Sequence, residues 1–136
     1  MSGPAFLDTN ILVYAALQSD HRSDAARRLL ATGGLISVQV LNEFTNVAYR
    51  KLRRPWLEIT RAVEAICYLC PPPLPLTLAT HQAARRIAEG TGFAFYDALI
   101  VASALEAKCG ILYSEDLQDG QVIEGRLTVR NPFGAE

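Results

Sequence analysis

The 136-residue sequence has few of the features that mark disulfide-rich or membrane proteins. It contains three cysteines, and an odd number in a chain without a visible export signal argues against a disulfide framework. Its apolar runs are far shorter than the ~20 residues that span a bilayer, so we expect no membrane association. The first residues lack a basic segment followed by a long apolar one, which predicts no signal peptide and a cytoplasmic location.

The chain also lacks an excess of charge of either sign. Its 13 lysines and arginines against 14 acids give a net charge of -1, so any nucleic-acid contact must come from a local basic patch. The densest basic run is Arg50-Lys51-Leu52-Arg53-Arg54. One interpretation is cations at the C-terminus of a helix, where the dipole favours them, and the other is a phosphate-contacting patch for RNA.

The composition of the sequence is typical of a globular protein. Hydrophobic residues make up 50% and charged residues 20%, and the length suits a single domain over residues 1–136. Short β-like runs alternate with longer helical ones, which is typical of a parallel sheet flanked by helices, so we predict an α/β fold. The predicted strands are residues 5–7, 35–37, 74–76, 111–113, 122–123 and 127–129. The predicted helices are residues 11–17, 21–31, 38–54, 55–70, 78–89 and 96–108.

Four acids stand where an unpaired carboxylate is costly. Asp8 and Asp116 each follow a predicted strand, and the carboxyl ends of strands are where α/β sheets bind ligands. Glu43 lies on or beside the apolar stripe of one predicted helix, and Asp97 extends the apolar stripe of another. Burying an unpaired carboxylate costs several kcal/mol, and the sequence offers no obvious buried cation for each acid. A shared divalent ion would neutralise all four, since Mg²⁺ and Mn²⁺ prefer carboxylate oxygens.

Each acid taken alone has a simpler interpretation. Asp8 suits the N-cap of the helix that follows it, and Asp97 suits the positive end of a helix dipole. Asp116 and Asp119 suit a turn, and Glu43 can extend to solvent. Two acids at strand ends together with two on apolar helix faces favour a common site over four separate roles.

The ordered motifs resemble those of the PIN domain family, and the likeness covers essentially the entire chain. The matching residues are Leu7-Asp8-Thr9-Asn10, Glu43 in a mid-chain helix after a short strand, Phe95-Tyr96-Asp97-Ala98 and Ser114-Glu115-Asp116. The resemblance implies a PIN-like three-layer α/β/α sandwich with a central parallel sheet. It also implies an acidic pocket that holds Mg²⁺ or Mn²⁺.

The function implied by the resemblance is that of a metal-dependent endoribonuclease, a hydrolase that cuts RNA phosphodiester bonds. Most often such a protein is the toxin of a VapBC-type, type II toxin–antitoxin pair, which implies a cognate antitoxin partner and a homodimer. The implied site comprises the catalytic, metal-binding acids Asp8, Glu43, Asp97 and Asp116, with Asn10 and Ser114 as hydrogen-bonding supports. Asp119 is an extra acid or stands in for Asp116, because the turn after residue 116 lacks the aromatic residue often found there.

Two other classes of function are compatible with parts of the pattern. A non-catalytic PIN-like module could bind RNA or protein without cutting, although such a scaffold has no need of four costly carboxylates. A phospho-acceptor receiver domain has a similar size and build. It requires an early adjacent acidic pair and a late lysine after a strand, and no lysine follows the last predicted strands here. The residues therefore favour the enzyme.

Overall fold

The computed structural model describes residues 3–134 and has a short, mostly parallel sheet at its centre. Its strands are β1 (Ala5–Leu7), β2 (Ile111–Tyr113), β3 (Val122–Ile123) and β4 (Leu127–Arg130). They lie in the order β1-β2-β4-β3, and among these four described strands only the edge strand β3 runs antiparallel, to β4. The predicted central parallel sheet is therefore confirmed, with one antiparallel strand at its edge.

Beyond β1 the sheet continues through isolated pairings of single residues. Phe6 pairs in parallel with Leu35, and Ser37 pairs in parallel with Leu74. The predicted strands at 35–37 and 74–76 are thus reduced to bridges. Prolines flank Leu74 on both sides, and because proline has no N–H to donate, pairing cannot extend past that residue.

In the described range 3–134, six α-helices pack around this sheet and complete the predicted three-layer α/β/α sandwich. They are α1 (Thr9–Ala16), α2 (Ser23–Ala31), α3 (Val38–Asn46), α4 (Trp56–Leu69), α5 (Leu78–Thr91) and α6 (Phe95–Glu106). Residues 98–105 of α6 are buried without exception, as its nearly continuous apolar sequence predicts. Within residues 3–134, no helix is long and apolar enough to cross a membrane.

The prediction of one α-helix over residues 38–54 is wrong in its second half. The α-helix ends at Asn46 and is followed by a π-helical segment, Val47–Lys51, in which the Leu52 N–H donates to the Val47 carbonyl at 3.0 Å. Arg53 then adopts a left-handed conformation with φ 56°. Pro55 disfavours helical geometry at the residue before it, so the chain turns before α4 begins. Five π-helical residues change the side-chain spacing too little to show in the sequence pattern.

The N-terminal ends of three helices are fixed by the residues that precede them. Asp8, the one residue between β1 and α1, caps α1 by accepting the Thr9 N–H at 2.7 Å, and Ser37 caps α3 by accepting the Val40 N–H at 3.3 Å. At the start of α5 the predicted cap Thr77 is confirmed, since its hydroxyl accepts the Thr80 N–H at 3.1 Å. That helix runs two residues past its predicted end, to the left-handed Gly92.

Candidate metal centre

The register of β1 and β2 brings Asp8 beside Ser114. Leu7 lies opposite Tyr113, and the Asp8 N–H donates to the Tyr113 carbonyl at 3.0 Å, so the residues that follow each strand are neighbours. The Ser114 hydroxyl donates to Asp8 Oδ2 at 2.7 Å, and the Thr9 N–H donates to Oδ1 at 2.7 Å. Both oxygens of the Asp8 carboxylate are therefore held in place by donors at the strand ends.

Asp8 is the most deeply buried of the four acids, with 3% of its surface exposed. Burial raises the pKa of Asp8 from 3.8 to about 7. The hydrogen bonds from Ser114 and Thr9 act in the opposite direction, and the charges of Asp116 and Glu43 add to the increase. A nearby cation would strongly stabilise the ionised form of this carboxyl, because the positive charge offsets the cost of burying the negative one.

Glu43 is held by two side chains that have no evident role in the sequence pattern. The Thr9 hydroxyl donates to Oε1 at 2.8 Å, and the Gln39 amide donates to Oε2 at 3.1 Å. Gln39 precedes Glu43 by four residues on α3, so helical spacing could have revealed this pair. Thr9 comes from another helix, and only the packing of α1 against α3 shows its role.

Asp116 and Asp119 have different surroundings, although both are exposed and belong to the same turn. The Asn10 amide donates to both oxygens of Asp116, at 3.0 and 3.2 Å. Asp119 instead accepts the Asn131 N–H at 2.8 Å, on the side of the turn that faces the end of β4. The structure thus brings Asp116 to the other acids and directs Asp119 away from them.

Asp97 lies in the first turn of α6 and completes the group. Its carboxylate is half-buried and has no hydrogen-bond partner among residues 3–134. Desolvation raises the pKa of Asp97, and the negative charges of Glu43 and Asp116 raise it further. Desolvation also raises the pKa of Asp116, while its bond from Asn10 lowers it.

The four acids therefore form one electrostatic group, here called the acid cluster (Asp8, Glu43, Asp97 and Asp116). In the described part of the chain no lysine, arginine or histidine forms an ion pair with any of them. No three acidic, histidine or cysteine side chains of residues 3–134 are already close enough to ligate one ion. The donor chemistry nevertheless fits a divalent ion, since carboxylate oxygens are the ligands that Mg²⁺ and Mn²⁺ prefer.

A second group of charged residues, the Arg22 cluster (Tyr14, Asp20, Arg22 and Glu115), lies beside the acid cluster. Glu115 accepts the Tyr14 hydroxyl at 2.6 Å and Arg22 Nη1 at 3.0 Å, and the Arg22 guanidinium lies 4.2 Å from the centre of the Tyr14 ring. Burial and the bond to Glu115 raise the pKa of Tyr14 to about 12. The backbone N–H of Arg22 lowers the pKa of Asp20. The sequence motif at residues 114–116 contains Glu115 but predicts no partner for it.

Two solved structures share this arrangement of helices and strands. The Mycobacterium tuberculosis protein VapC20, a sarcin-ricin loop cleaving toxin, aligns with a TM-score of 0.67 and 19% identity over 82% of this chain and 89% of its own. VapBC2 from Rickettsia felis, bound to a DNA fragment from the promoter, aligns with a TM-score of 0.64 and 18% identity over 93% of this chain and 98% of its own. At these identities the likeness establishes the fold alone.

Sequence comparison places the chain in a family. No curated protein sequence matches it. The sequence model described as the PIN domain matches residues 5–118, a range that contains all four members of the acid cluster and excludes Asp119. This match covers most of the chain and agrees with the fold and with the order of the motifs. The chain therefore belongs to the PIN domain family.

Proposed function

We propose that this PIN domain is a Mg²⁺- or Mn²⁺-dependent endoribonuclease and the toxin of a type II toxin–antitoxin pair. The observation that carries the proposal is the acid cluster, in which four carboxylates from four parts of the chain lie within electrostatic range of one another and have no ion pair among residues 3–134. Membership of the PIN domain family supports a nuclease. The similarity to VapC20, a toxin that cleaves the sarcin-ricin loop, supports RNA as the substrate.

The residues proposed to hold the metal are Asp8, Glu43, Asp97 and Asp116, which also form the proposed catalytic site. A divalent ion held there would activate water as the nucleophile and offset the negative charge that builds on the phosphate. With water attacking in line and the 3′ oxygen as the leaving group, hydrolysis would break the P–O3′ bond and leave a 5′-phosphate and a 3′-hydroxyl. The chain needs no histidine as a base in this scheme.

The neighbouring side chains have the role of fixing the carboxylates before substrate arrives. Ser114 holds Asp8, Asn10 holds Asp116, and Thr9 and Gln39 together hold Glu43. Such hydrogen bonds to ligating acids set their orientation and contribute to metal affinity. Asp97 is the acid left free to turn, since it has no such donor among residues 3–134.

The proposal extends to partners and location. The similarity to VapBC2 from Rickettsia felis supports a cognate antitoxin as a protein partner of this chain. We further propose that residues 1–136 act as a single domain, that the chain forms a homodimer and that it works in the cytoplasm.

Cleavage of RNA by the purified, antitoxin-free protein tests the proposal. Wild-type protein with Mg²⁺ or Mn²⁺ should cut an RNA substrate, and EDTA should abolish the activity. Asp97→Asn and Asp116→Asn should each lower the rate about 100-fold or more, because the metal site supplies several kcal/mol of transition-state stabilisation. Asp119→Asn is the matched control, since it makes the same chemical change three residues from Asp116 in the same turn, and it should keep the wild-type rate.

Circular dichroism must show that each variant is folded. If the folded, metal-loaded wild type cuts no RNA, the nuclease is refuted and a non-catalytic RNA- or protein-binding module takes its place. If Asp119→Asn loses activity while Asp116→Asn keeps it, the assignment of the fourth acid is reversed. Activity in EDTA equal to that with metal would refute the metal dependence.

A further inference from the structure

Two large aromatic side chains stack on each other at the surface instead of packing in the core. The rings of Tyr49 and Trp56 have centroids 4.4 Å apart and planes inclined by 21°. Tyr49 is 47% exposed and Trp56 is 54% exposed. Aromatic rings of this size stabilise a fold mainly by being buried, so a stacked pair in water has a surface available for a further flat partner.

Arginines lie beside Tyr49, the ring that stacks on Trp56. A surface depression of about 380 Å³ is lined by Tyr49, Arg50, Arg53 and Arg54. Arg54 is anchored, since it donates to the Leu17 carbonyl at the end of α1 and forms an ion pair with Glu58. Arg50 and Arg53 have no ion pair and no side-chain hydrogen bond among residues 3–134. Their guanidinium groups are free to meet an anion.

The backbone that assembles this surface is unusual at two points. Tyr49 and Arg50 lie in the π-helical segment, and π-helical turns are frequent at functional sites. Arg53 has φ 56°, a conformation that is uncommon and unfavourable for a residue with a side chain. A helix dipole accounts for cations at positions 50 and 51, but it accounts neither for the exposed ring pair nor for Arg53 beyond the helix end.

We propose that Tyr49, Arg50, Arg53 and Trp56 form a contact site for single-stranded RNA, here called the aromatic–arginine platform. Aromatic rings stack on any base, and arginines bind phosphates, which is the combination that proteins use to hold single strands. The inference rests on the proposed function for the choice of nucleic acid. It adds a binding surface that is separate from the acid cluster.

The position of the platform suits a strand that also reaches the acid cluster. Tyr49 follows Glu43 by six residues along α3 and its π-helical continuation, so it lies roughly 9 Å farther along the helix axis and on a different face of the helix. A strand that contacts both places must therefore bend around the helix. Single-strand binding sites commonly cover ~4–16 nucleotides, so one strand can contact both places. Tyr, Trp and Arg are also enriched in protein interfaces, so a protein partner is the alternative occupant that the experiment must separate. RNA is favoured because this surface presents two arginines without an ion pair among residues 3–134, and a polyanion supplies a phosphate for each.

The single tryptophan of the chain makes the platform directly observable. The experiment uses the full chain with Asp97→Asn in EDTA, so that RNA stays intact, and a labelled single-stranded RNA of about 8 nucleotides. A base that stacks on Trp56 should quench its fluorescence in step with binding measured by anisotropy. Adding Tyr49→Ala should weaken Kd about 5- to 100-fold, the range that loss of one stacking contact produces.

Charge is tested by a double variant with a matched control. Arg50→Gln with Arg53→Gln should weaken Kd about 10-fold near 0.1 M salt and reduce the slope of log Kd against log salt by about 1.4, which is ~0.7 for each phosphate contact in a single strand. Arg85→Gln with Arg86→Gln removes the same charge from the exposed surface of α5 and should leave Kd unchanged.

Three results would overturn the platform: no quenching at saturating RNA, equal loss of binding in both double variants, or a change of oligomeric state in Tyr49→Ala with an unchanged Kd. The last result would identify a protein interface. Cleavage by the wild type is judged separately. If the protein binds RNA at the platform but cuts none, the platform is supported and the nuclease is refuted. If the protein cuts RNA but Trp56 fluorescence is not quenched, the nuclease is supported and the platform is refuted.

Discussion

Glu115 and Asp116 are adjacent acids at the end of β2, and the fold gives them opposite surroundings. Glu115 turns toward the Arg22 cluster, where a guanidinium and a phenol donate to it. Asp116 turns toward the acid cluster, where its only side-chain donor among residues 3–134 is the neutral amide of Asn10. Consecutive residues of a chain leaving a strand point in different directions, so one turn serves both groups.

The contrast shows how a candidate metal site differs from a charged group that contains a cation of its own. In the Arg22 cluster both carboxylates, Asp20 and Glu115, pair with the guanidinium of Arg22, which offsets part of their charge. In the acid cluster the donors are neutral hydroxyls and amides, which orient the carboxylates without cancelling their charge. Burial raises the pKa values of Asp8, Asp97 and Asp116, and no ion pair among residues 3–134 offsets that increase.

The largest expected effect is that removing a charge from the acid cluster stabilises the metal-free protein. The pKa of Asp8 is raised from 3.8 to about 7, so between these values the folded state holds a proton that the unfolded state releases. The free energy of unfolding therefore falls as pH rises through this window. Asp8→Asn should be more stable than wild type by about 2 to 4 kcal/mol near pH 8 in EDTA, with a smaller difference near pH 5.

Urea unfolding of both proteins at the two pH values measures this difference. The amide oxygen of the Asp8→Asn variant can still accept the Thr9 N–H, and its amide nitrogen can donate to the Ser114 hydroxyl, so both hydrogen-bond partners are kept when the charge is removed. A wild type whose stability does not change with pH relative to Asp8→Asn would show that Asp8 is not held protonated, and the contrast between the two clusters would lose its strongest support.

An intermediate effect is expected from the neutral donors of the acid cluster. Thr9→Val keeps the shape of the buried side chain and removes the hydroxyl that holds Glu43, so Mn²⁺ affinity should fall about 10-fold. Thr9→Ser keeps the hydroxyl and is the control, with affinity near that of wild type. Calorimetric titration with Mn²⁺ measures both. Equal affinities for the valine and serine variants would mean that Thr9 has no part in preparing the site.

The smallest expected effect has the opposite sign to that of Asp8→Asn. Glu115→Gln makes the same change from a carboxylate to an amide, but it breaks an ion pair with Arg22 and weakens the bond from Tyr14. It should lower the free energy of unfolding by about 1 kcal/mol in the same urea experiment. Stabilisation by Glu115→Gln would show that crowding of negative charge extends over both clusters, and that Arg22 does not separate them.

Much of the fold was predictable because its determinants are local. Alternating apolar runs and cap residues such as Thr77 located the elements, and the apolar sequence of α6 predicted its burial. Predictions failed where two structures give nearly the same apolar spacing in the sequence, as α-helix and π-helix do in the segment after Asn46. They also failed where pairing depends on a distant partner, as at Leu74, where flanking prolines permit only a bridge.

For the candidate site, the sequence by itself determined the acids, since their positions at strand ends and on apolar helix faces are visible in the order of residues. The family resemblance implied Asn10 and Ser114 as supports, but only the tertiary structure decided which acid each of them holds and that Thr9 and Gln39 hold Glu43. The register of β1 on β2 placed Ser114 at Asp8, the packing of α1 on α3 placed Thr9 at Glu43, and the turn after β2 directed Asp116 inward and Asp119 outward. Hydrogen-bond partners far apart in sequence are set by geometry that no single segment contains, which is why these contacts could not be derived from the chain alone.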